Sequence, residues 1–283
     1  MSTIGIVTDS TNCLPAELIE EYDIRVVSVG FSFDGKAYRD KDITNDEFWR
    51  LFHEAKGMPT TSAASPGDFA SAFTELGKSA DSIVCMVLSR ALSATHEAAT
   101  QAREMVKAEQ PGLNIEIIDS KTSAGALGFI VLEAARAAKA GKSLTEIVQV
   151  AQDMIPRAKF FVALDTLKYL IKIGRAPKKA VIGNLLQVKP IIGMVTGSGL
   201  VDSVGRARGK RKAMLKMVEM VHDYVDADKP LHIMTHYTDH PEDGDELKDM
   251  VTSQFECAEL YITPYSPVMA SGASPAVAVS FYC

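Results

Sequence analysis

The strongest constraint on the fold of this chain is an alternation in its first half, where short β-branched runs are each followed by a longer amphipathic stretch. "TIGIVTDS" and "DIRVVSVGFSF" read as strands with "LPAELIEEY" as a helix between them. "NDEFWRLFHEA" places Phe48, Leu51 and Phe52 at helical spacing. "SIVCMVLS" reads as a buried strand followed by the helix "SATHEAATQAREMVKA", and "LNIEIIDS" as a strand followed by the alanine-rich helix "SAGALGFIVLEAARAAKAG", which Gly141 closes. This pattern predicts an α/β fold with a parallel sheet covered by helices.

Past about residue 155 the rhythm changes to strand, helix, a Gly/Pro break, a short helix, a hairpin and a long helix, ending in strand, helix, strand. A chain of 283 residues, 47% apolar and 23% charged, has material for two packed units. The expected organisation is an α/β N-terminal domain over residues 1–155 and a smaller α/β domain over 156–283. No flexible linker separates them, so a ligand site is expected between them.

Composition narrows the partners. A net charge of −6 lacks the basic surface that nucleic-acid binding needs. The opening "MSTIGIVTDS" has no basic region followed by an apolar run, and no 18 uncharged apolar residues follow one another, so a cytoplasmic protein is expected. Cys13, Cys85, Cys257 and Cys283 are scattered, which fits reduced structural thiols. Phosphate-loop, dinucleotide, nucleophile-elbow and zinc-protease motifs are missing from the sequence. His232, His236 and His240 recur every fourth residue, but "LHIMTHY" alternates as a strand, where such positions lie about 13 Å apart, so no metal site is expected.

What stands out is hydroxyls. "PTTSAASPGD" supplies Ser65 as a helix N-cap with Pro66 at N1 and Asp68 at N3, which leaves Thr60, Thr61 and Ser62 free to donate. Ser89, Ser93 and Thr95 stand between a strand and a helix, and Asp9-Ser10-Thr11 and Asp119-Ser120 end two further strands. In open α/β sheets ligands bind beyond the carboxyl ends of strands, so these groups are placed to share one edge. Lacking an evident base or metal, they suit holding an anion better than attacking a substrate.

In "VTDST", "PTTSAASPGDF", "LSRALSATHEAA", "IIDSKTSAGALG", "DTLKYLIKIGRAP", "LLQVKPIIG" and "GRARGKRKA", taken in order, the chain resembles the DegV family over nearly its whole length. The resemblance implies a two-domain α/β protein that carries one long-chain fatty acid in an apolar tunnel, without a cofactor. It implies that Thr61, Ser62 and Ser93 hold the carboxylate, and that a separate ATP-binding kinase subunit phosphorylates the bound acid for phospholipid synthesis. Arg175 and Arg208 are the arginines that the resemblance links to kinase docking, within a basic set that includes Lys178, Lys179, Arg206, Lys210, Arg211 and Lys212. Transient contact with a membrane is a second use for such charges.

One segment departs from the family pattern. Where a histidine and a glycine-rich turn are expected near the C-terminus, this chain reads "VMASGASPAVAVSFYC", which places Ser271 at the histidine position as a further carboxylate contact. A serine keeps a hydrogen bond but carries no charge near neutral pH. Two other readings therefore stay open: a lipid sensor without phosphotransfer, and a serine lipid hydrolase using Ser93 or Ser62. Tail-lining residues are expected in "SAGALGFIVLEAA", "LDTLKYLI" and "NLLQVKPIIG", where Ala124, Gly125 and Gly128 serve either a passing acyl chain or close helix-to-sheet packing.

Overall fold

The computed structural model describes residues 3–177, 187–195, 197–226 and 228–283. The first half runs β1 (Ile4–Asp9), α1 (Ala16–Glu21), β2 (Ile24–Val27), β3 (Gly30–Phe33), β4 (Lys36–Arg39), α2 (Asn45–Glu54) and β5 (Thr60–Ser62). It continues through α3 (Pro66–Leu76), β6 (Ser82–Val87), α4 (Thr95–Glu109), β7 (Asn114–Asp119), α5 (Ala124–Lys139) and α6 (Leu144–Met154). The second half has β8 (Lys159–Leu164), α7 (Lys168–Lys172), β9 (Val188–Met194), β10 (Val201–Arg208) and α8 (Lys210–His222). It ends with β11 (Leu231–Tyr237), α9 (Pro241–Thr252), β12 (Cys257–Pro264), α10 (Pro267–Gly272) and β13 (Ala276–Tyr282).

Among the described residues the strands form three sheets. The first has the order β2-β1-β6-β7 and is parallel throughout, so all its carboxyl ends emerge on one edge. The second, β10-β9-β8-β13-β11-β12, is mixed and lies wholly beyond residue 158. The third, β4-β3-β5, is small and antiparallel.

That small sheet corrects the strand expected over "DIRVVSVGFSF". The run is broken at Ser28 and Val29: β2 stays in the parallel sheet, and β3 leaves to pair with β4 and β5. Continuous apolar patterning cannot report the break, because Val27, Val29, Phe31 and Phe33 are all buried, on either side of it. The hydroxyl stretch Thr60–Ser62 is accordingly the short strand β5, paired with β3. α6, with its Ser143/Glu146 capping box, and the closing pair α10 and β13 are additional to the elements read from the sequence. The short helix expected within 178–186 lies outside the described residues, as do Lys178 and Lys179.

α5 explains why the two large sheets are held together. Its first nine residues are all apolar and buried, and twelve of its sixteen residues are buried in total, because it packs against β1 and β6 of the parallel sheet and β8 and β13 of the mixed one. Its glycines serve that packing. A side chain on Gly125 would run into the His236 ring and Met234 Sδ, and one on Gly128 into the Asn12 carbonyl and Leu14. His236 is a structural residue of β11, buried between Thr263 Oγ1 at 2.8 Å and Ser280 Oγ at 3.0 Å.

Two buried titrating groups act in opposite directions. Burial pushes the Asp40 carboxyl up to about 7 and the His236 imidazole down to about 3. The folded chain therefore holds the Asp40 proton that the unfolded chain gives up between about pH 4 and 7, so that contribution to stability falls as pH rises through this window. For His236 the unfolded chain binds the extra proton between about pH 3 and 6.5, so its contribution rises with pH. The two slopes offset each other between about pH 4 and 6.5. Asp40→Asn is expected to unmask the His236 slope, giving urea unfolding free energies that climb more steeply with pH over this range than in the wild type. Parallel pH profiles for the two proteins would contradict the assignment.

Candidate functional site

A cavity of about 250 Å³ opens at the carboxyl edge of the parallel sheet, between it and the mixed sheet. Thr11 reaches it from the exit of β1, Leu88 from the exit of β6, and Ser123 from the loop after β7. The small sheet contributes Val29, Thr61, Ser62 and Ala63, and the turn before α4 contributes Leu92, Ser93 and Ala94. The opposite wall is apolar: Phe160, Val162, Ile192 and Val201 from the mixed sheet, Leu170 and Ile173 around α7, and Val268, Met269 and Gly272 from α10. Of the three expected tail-lining segments, the first contributes Ser123, the second Leu170 and the third Ile192.

Most strand-exit hydroxyls are already committed. Ser10 Oγ donates to Asp40 at 2.5 Å, Thr11 Oγ1 to Asp9 at 2.6 Å, Ser89 Oγ to the Gly199 carbonyl at 2.8 Å and Ser120 Oγ to the Thr122 carbonyl at 3.2 Å. These bonds build the frame. Asp9 ties two strand exits together, accepting from the Thr11 amide at 2.9 Å and the Leu88 amide at 2.7 Å. Burial pushes its carboxyl up, and the hydrogen bonds from Thr11 and Leu88 oppose that shift. Asp40 joins β1 to α10 by accepting from Ser10 and from the Val268 amide at 2.8 Å.

The hydroxyls of Thr61 and Ser62 have no hydrogen-bond partner among the described residues, and both residues line the cavity. Opposite residues of an antiparallel pair share a face, so Thr61 sits with buried Phe31 while Ser62 lies over Gly30. Gly30 leaves room for the present position of the Ser62 hydroxyl, which a Cβ would displace. Ser93 Oγ lies 2.9 Å from Thr95 Oγ1 and accepts from the Thr95 amide at 3.3 Å, which leaves capacity for one further bond. No imidazole or carboxylate contacts it among the described residues. Nor, among them, is there a group of three or more His, Cys, Asp or Glu placed to hold a metal.

Two expected site residues are placed differently. Ser271 is fully buried in α10 and donates to the Pro267 carbonyl at 2.8 Å, one helical turn back; the neighbouring Gly272, not Ser271, lines the cavity. Arg175 lines the cavity as well, with Nε on the Leu92 carbonyl at 2.6 Å and Nη1 on the Ile173 carbonyl. It clamps the turn that carries Ser93. Arg208 is remote from that clamp, exposed on the edge strand β10 with Nε 3.2 Å from Gln187 Oε1. Part of the basic segment is neutralised by α9, through Lys210–Asp243 at 2.6 Å and Arg211–Glu246 at 3.2 Å. No described helix is long and apolar enough to cross a membrane.

Comparison with known proteins bears on this geometry. The family model for uncharacterised proteins of the DegV family matches residues 3–283. A DegV domain-containing protein of Clostridium acetobutylicum is 33% identical over 281 residues, covering 99% of this chain and 97% of its own. One from Caldanaerobacter subterraneus is 36% identical over 260 residues, 90% of each chain. Among solved structures, a fatty-acid-binding DegV family protein from Thermus thermophilus matches with a TM-score of 0.89 at 29% identity, over 100% of this chain and 99% of that one. A stearic-acid-binding protein from Eubacterium ventriosum matches with a TM-score of 0.89 at 26% identity, over 100% and 98%.

Proposed function

The chain belongs to the DegV family, and from that premise we propose that it is a carrier that binds one long-chain fatty acid and presents the carboxylate to a separate ATP-dependent kinase subunit, for acyl-phosphate formation in phospholipid synthesis. The observation that carries the reading is the cavity: apolar walls converge on hydroxyls of Thr61, Ser62 and Ser93 that the frame leaves available. Fatty acid binding by the Thermus thermophilus and Eubacterium ventriosum relatives supports it. Each hydrogen bond to a charged group contributes about 1.5–3 kcal/mol, enough for two or three hydroxyls to offset the several kcal/mol lost on burying a carboxylate. Neutral donors also suit a phosphoryl acceptor, because a bidentate arginine pair would tie up the attacking oxygens.

The protein purified without added lipid and extracted under denaturing conditions is expected to yield a stoichiometric long-chain fatty acid by mass spectrometry. An empty protein that also rejects added fatty acids ends the carrier reading.

Presentation to a kinase assigns different work to the two arginines. With a cognate kinase subunit, Arg208→Ala is expected to slow acyl-phosphate formation at least about tenfold with lipid affinity intact, as expected for a charge at a docking surface. Arg175→Ala is expected to weaken both, since it also releases the Leu92 carbonyl beside Ser93. Unchanged turnover in both variants removes them from docking. A cytoplasmic carrier that meets a membrane transiently to load its lipid fits the same reading.

The sensor reading is favoured by one observation: Gly272, not a side chain able to carry a proton, faces the cavity beside Ser271. Failure to form acyl phosphate with any kinase subunit, while lipid is bound, would select it. The hydrolase reading has no base beside Ser93 among the described residues to support it.

A further inference from the structure

The start of α5 adds to the cavity wall a further polar group that the fold leaves unanswered. Ser123 stands at the N-cap position with extended backbone, φ −157° and ψ −172°, yet its hydroxyl makes no capping bond. It is 5% exposed, lines the cavity and has no hydrogen-bond partner among the described residues. The N-cap residues of α2, α3 and α6 behave differently, each accepting the amide three residues on. Those helices also carry acidic residues in the first turn, whereas α5 carries none.

Behind Ser123, a sixteen-residue helix begins with three buried residues, Ala124, Gly125 and Ala126. The first bond of the turn runs from the Leu127 amide to the Ser123 carbonyl at 3.3 Å, so the three preceding amides are the orphan donors of the helix. The Thr122 hydroxyl next to them is buried without a partner among the described residues. A helix N-terminus carries a positive partial charge, and burying its donors unanswered is costly. Here an available hydroxyl, at the start of a helix with no acidic side chain in its first turn, lines a cavity that also displays Thr61 and Ser93.

We propose that Ser123, backed by the N-terminal end of α5, is a further head-group ligand, which donates to the ionised carboxylate of the fatty acid from the side of the parallel sheet and contributes to the preference of the site for an acid over a neutral head. The inference rests on the carrier reading. Thr61 and Ser93 offer neutral hydroxyls, which also bond to an alcohol. The α5 terminus adds a partial positive charge, which discriminates in favour of an anion.

The test compares palmitate and hexadecanol on delipidated wild type, Ser123→Ala, Ser123→Thr and Ser123→Asp. Ser123→Ala is expected to lose about tenfold or more in palmitate affinity and several-fold less in hexadecanol affinity, because a hydrogen bond to a charged oxygen is roughly twice as strong as one to a neutral hydroxyl. Ser123→Thr keeps the hydroxyl and is expected to retain the preference for palmitate. Ser123→Asp supplies its own carboxylate to the helix, so it is expected to raise the melting temperature, exclude palmitate and still accept hexadecanol. An unchanged palmitate-to-hexadecanol ratio in Ser123→Ala overturns the inference. If that variant does not fold, the comparison of Asp with Thr decides: palmitate loss confined to Asp supports it, and equal behaviour overturns it. Wild type that binds neither ligand overturns the carrier reading itself, and with it this one.

Discussion

Thr61→Ala/Ser93→Ala is expected to emerge from purification without its fatty acid and to bind added long-chain acid about 10²–10⁴-fold more weakly than wild type. The magnitude follows from two charge-assisted hydrogen bonds at about 1.5–3 kcal/mol each, together about 3–6 kcal/mol, at about 1.4 kcal/mol per tenfold. A tail of about fourteen buried methylenes gains roughly 11 kcal/mol gross at about 0.8 kcal/mol each, before the cost of ordering the ligand. The tail thus supplies most of the affinity and the hydroxyls fix where the carboxylate sits. Both changes are small and stand at the cavity wall: Thr61 makes no side-chain hydrogen bond among the described residues, and Ser93 bonds only within its own turn. Melting temperatures within a few degrees of wild type are therefore expected, which separates loss of binding from loss of fold. Retention of stoichiometric lipid by the double variant, measured by extraction and calorimetry, would remove these residues from the head-group site.

The largest stability effect is expected at Gly128→Val, with a loss of at least about 3 kcal/mol read from urea unfolding. A Cβ at this position meets the Asn12 carbonyl, which is backbone, and the Leu14 side chain. Neither gives way cheaply, because the Asn12 side chain is itself tied to the Asp9 carbonyl at 2.8 Å and to the Leu14 amide at 2.8 Å. Displacing this loop also moves Asp9 and Thr11 at the cavity edge, so lipid affinity is expected to fall with stability. The roughly 1 kcal/mol penalty of glycine in a helix is accepted here because it lets α5 approach the loop that follows β1. A variant with wild-type stability would show that α5 has room to retreat.

The capping of α3 was fully legible: Ser65, Pro66 and Asp68 occupy the N-cap, N1 and N3 positions that their side chains predict, and Ser65 Oγ accepts the Asp68 amide at 3.0 Å. So was the sharing of one edge by the strand-exit residues, since strand-helix alternation forces a parallel sheet whose carboxyl ends coincide. What patterning could not show is which hydroxyls remain available. Ser10, Ser89 and Ser120 look like Ser62 and Ser93 in the sequence, but they are consumed by Asp40, the Gly199 carbonyl and the Thr122 carbonyl. For Ser10 and Ser89 the partners lie 30 and 110 residues away. Ser271 illustrates the same limit, because one residue of helical phase turned its hydroxyl inward and put Gly272 at the cavity.

By itself the sequence determined the local terms: where strands and helices alternate, which residues start helices, and which motifs, in order, mark the DegV family. These depend on neighbours within a few positions, which a linear pattern records. The tertiary structure alone decided that β3 leaves the parallel sheet to carry β5 to the cavity, that Arg175 clamps the Ser93 turn, and that Ser123, just before α5, lines the same space as Thr61. Each of these rests on a hydrogen bond or a packed contact between segments far apart in the chain, whose energy exists only once the sheets and α5 have closed around one core.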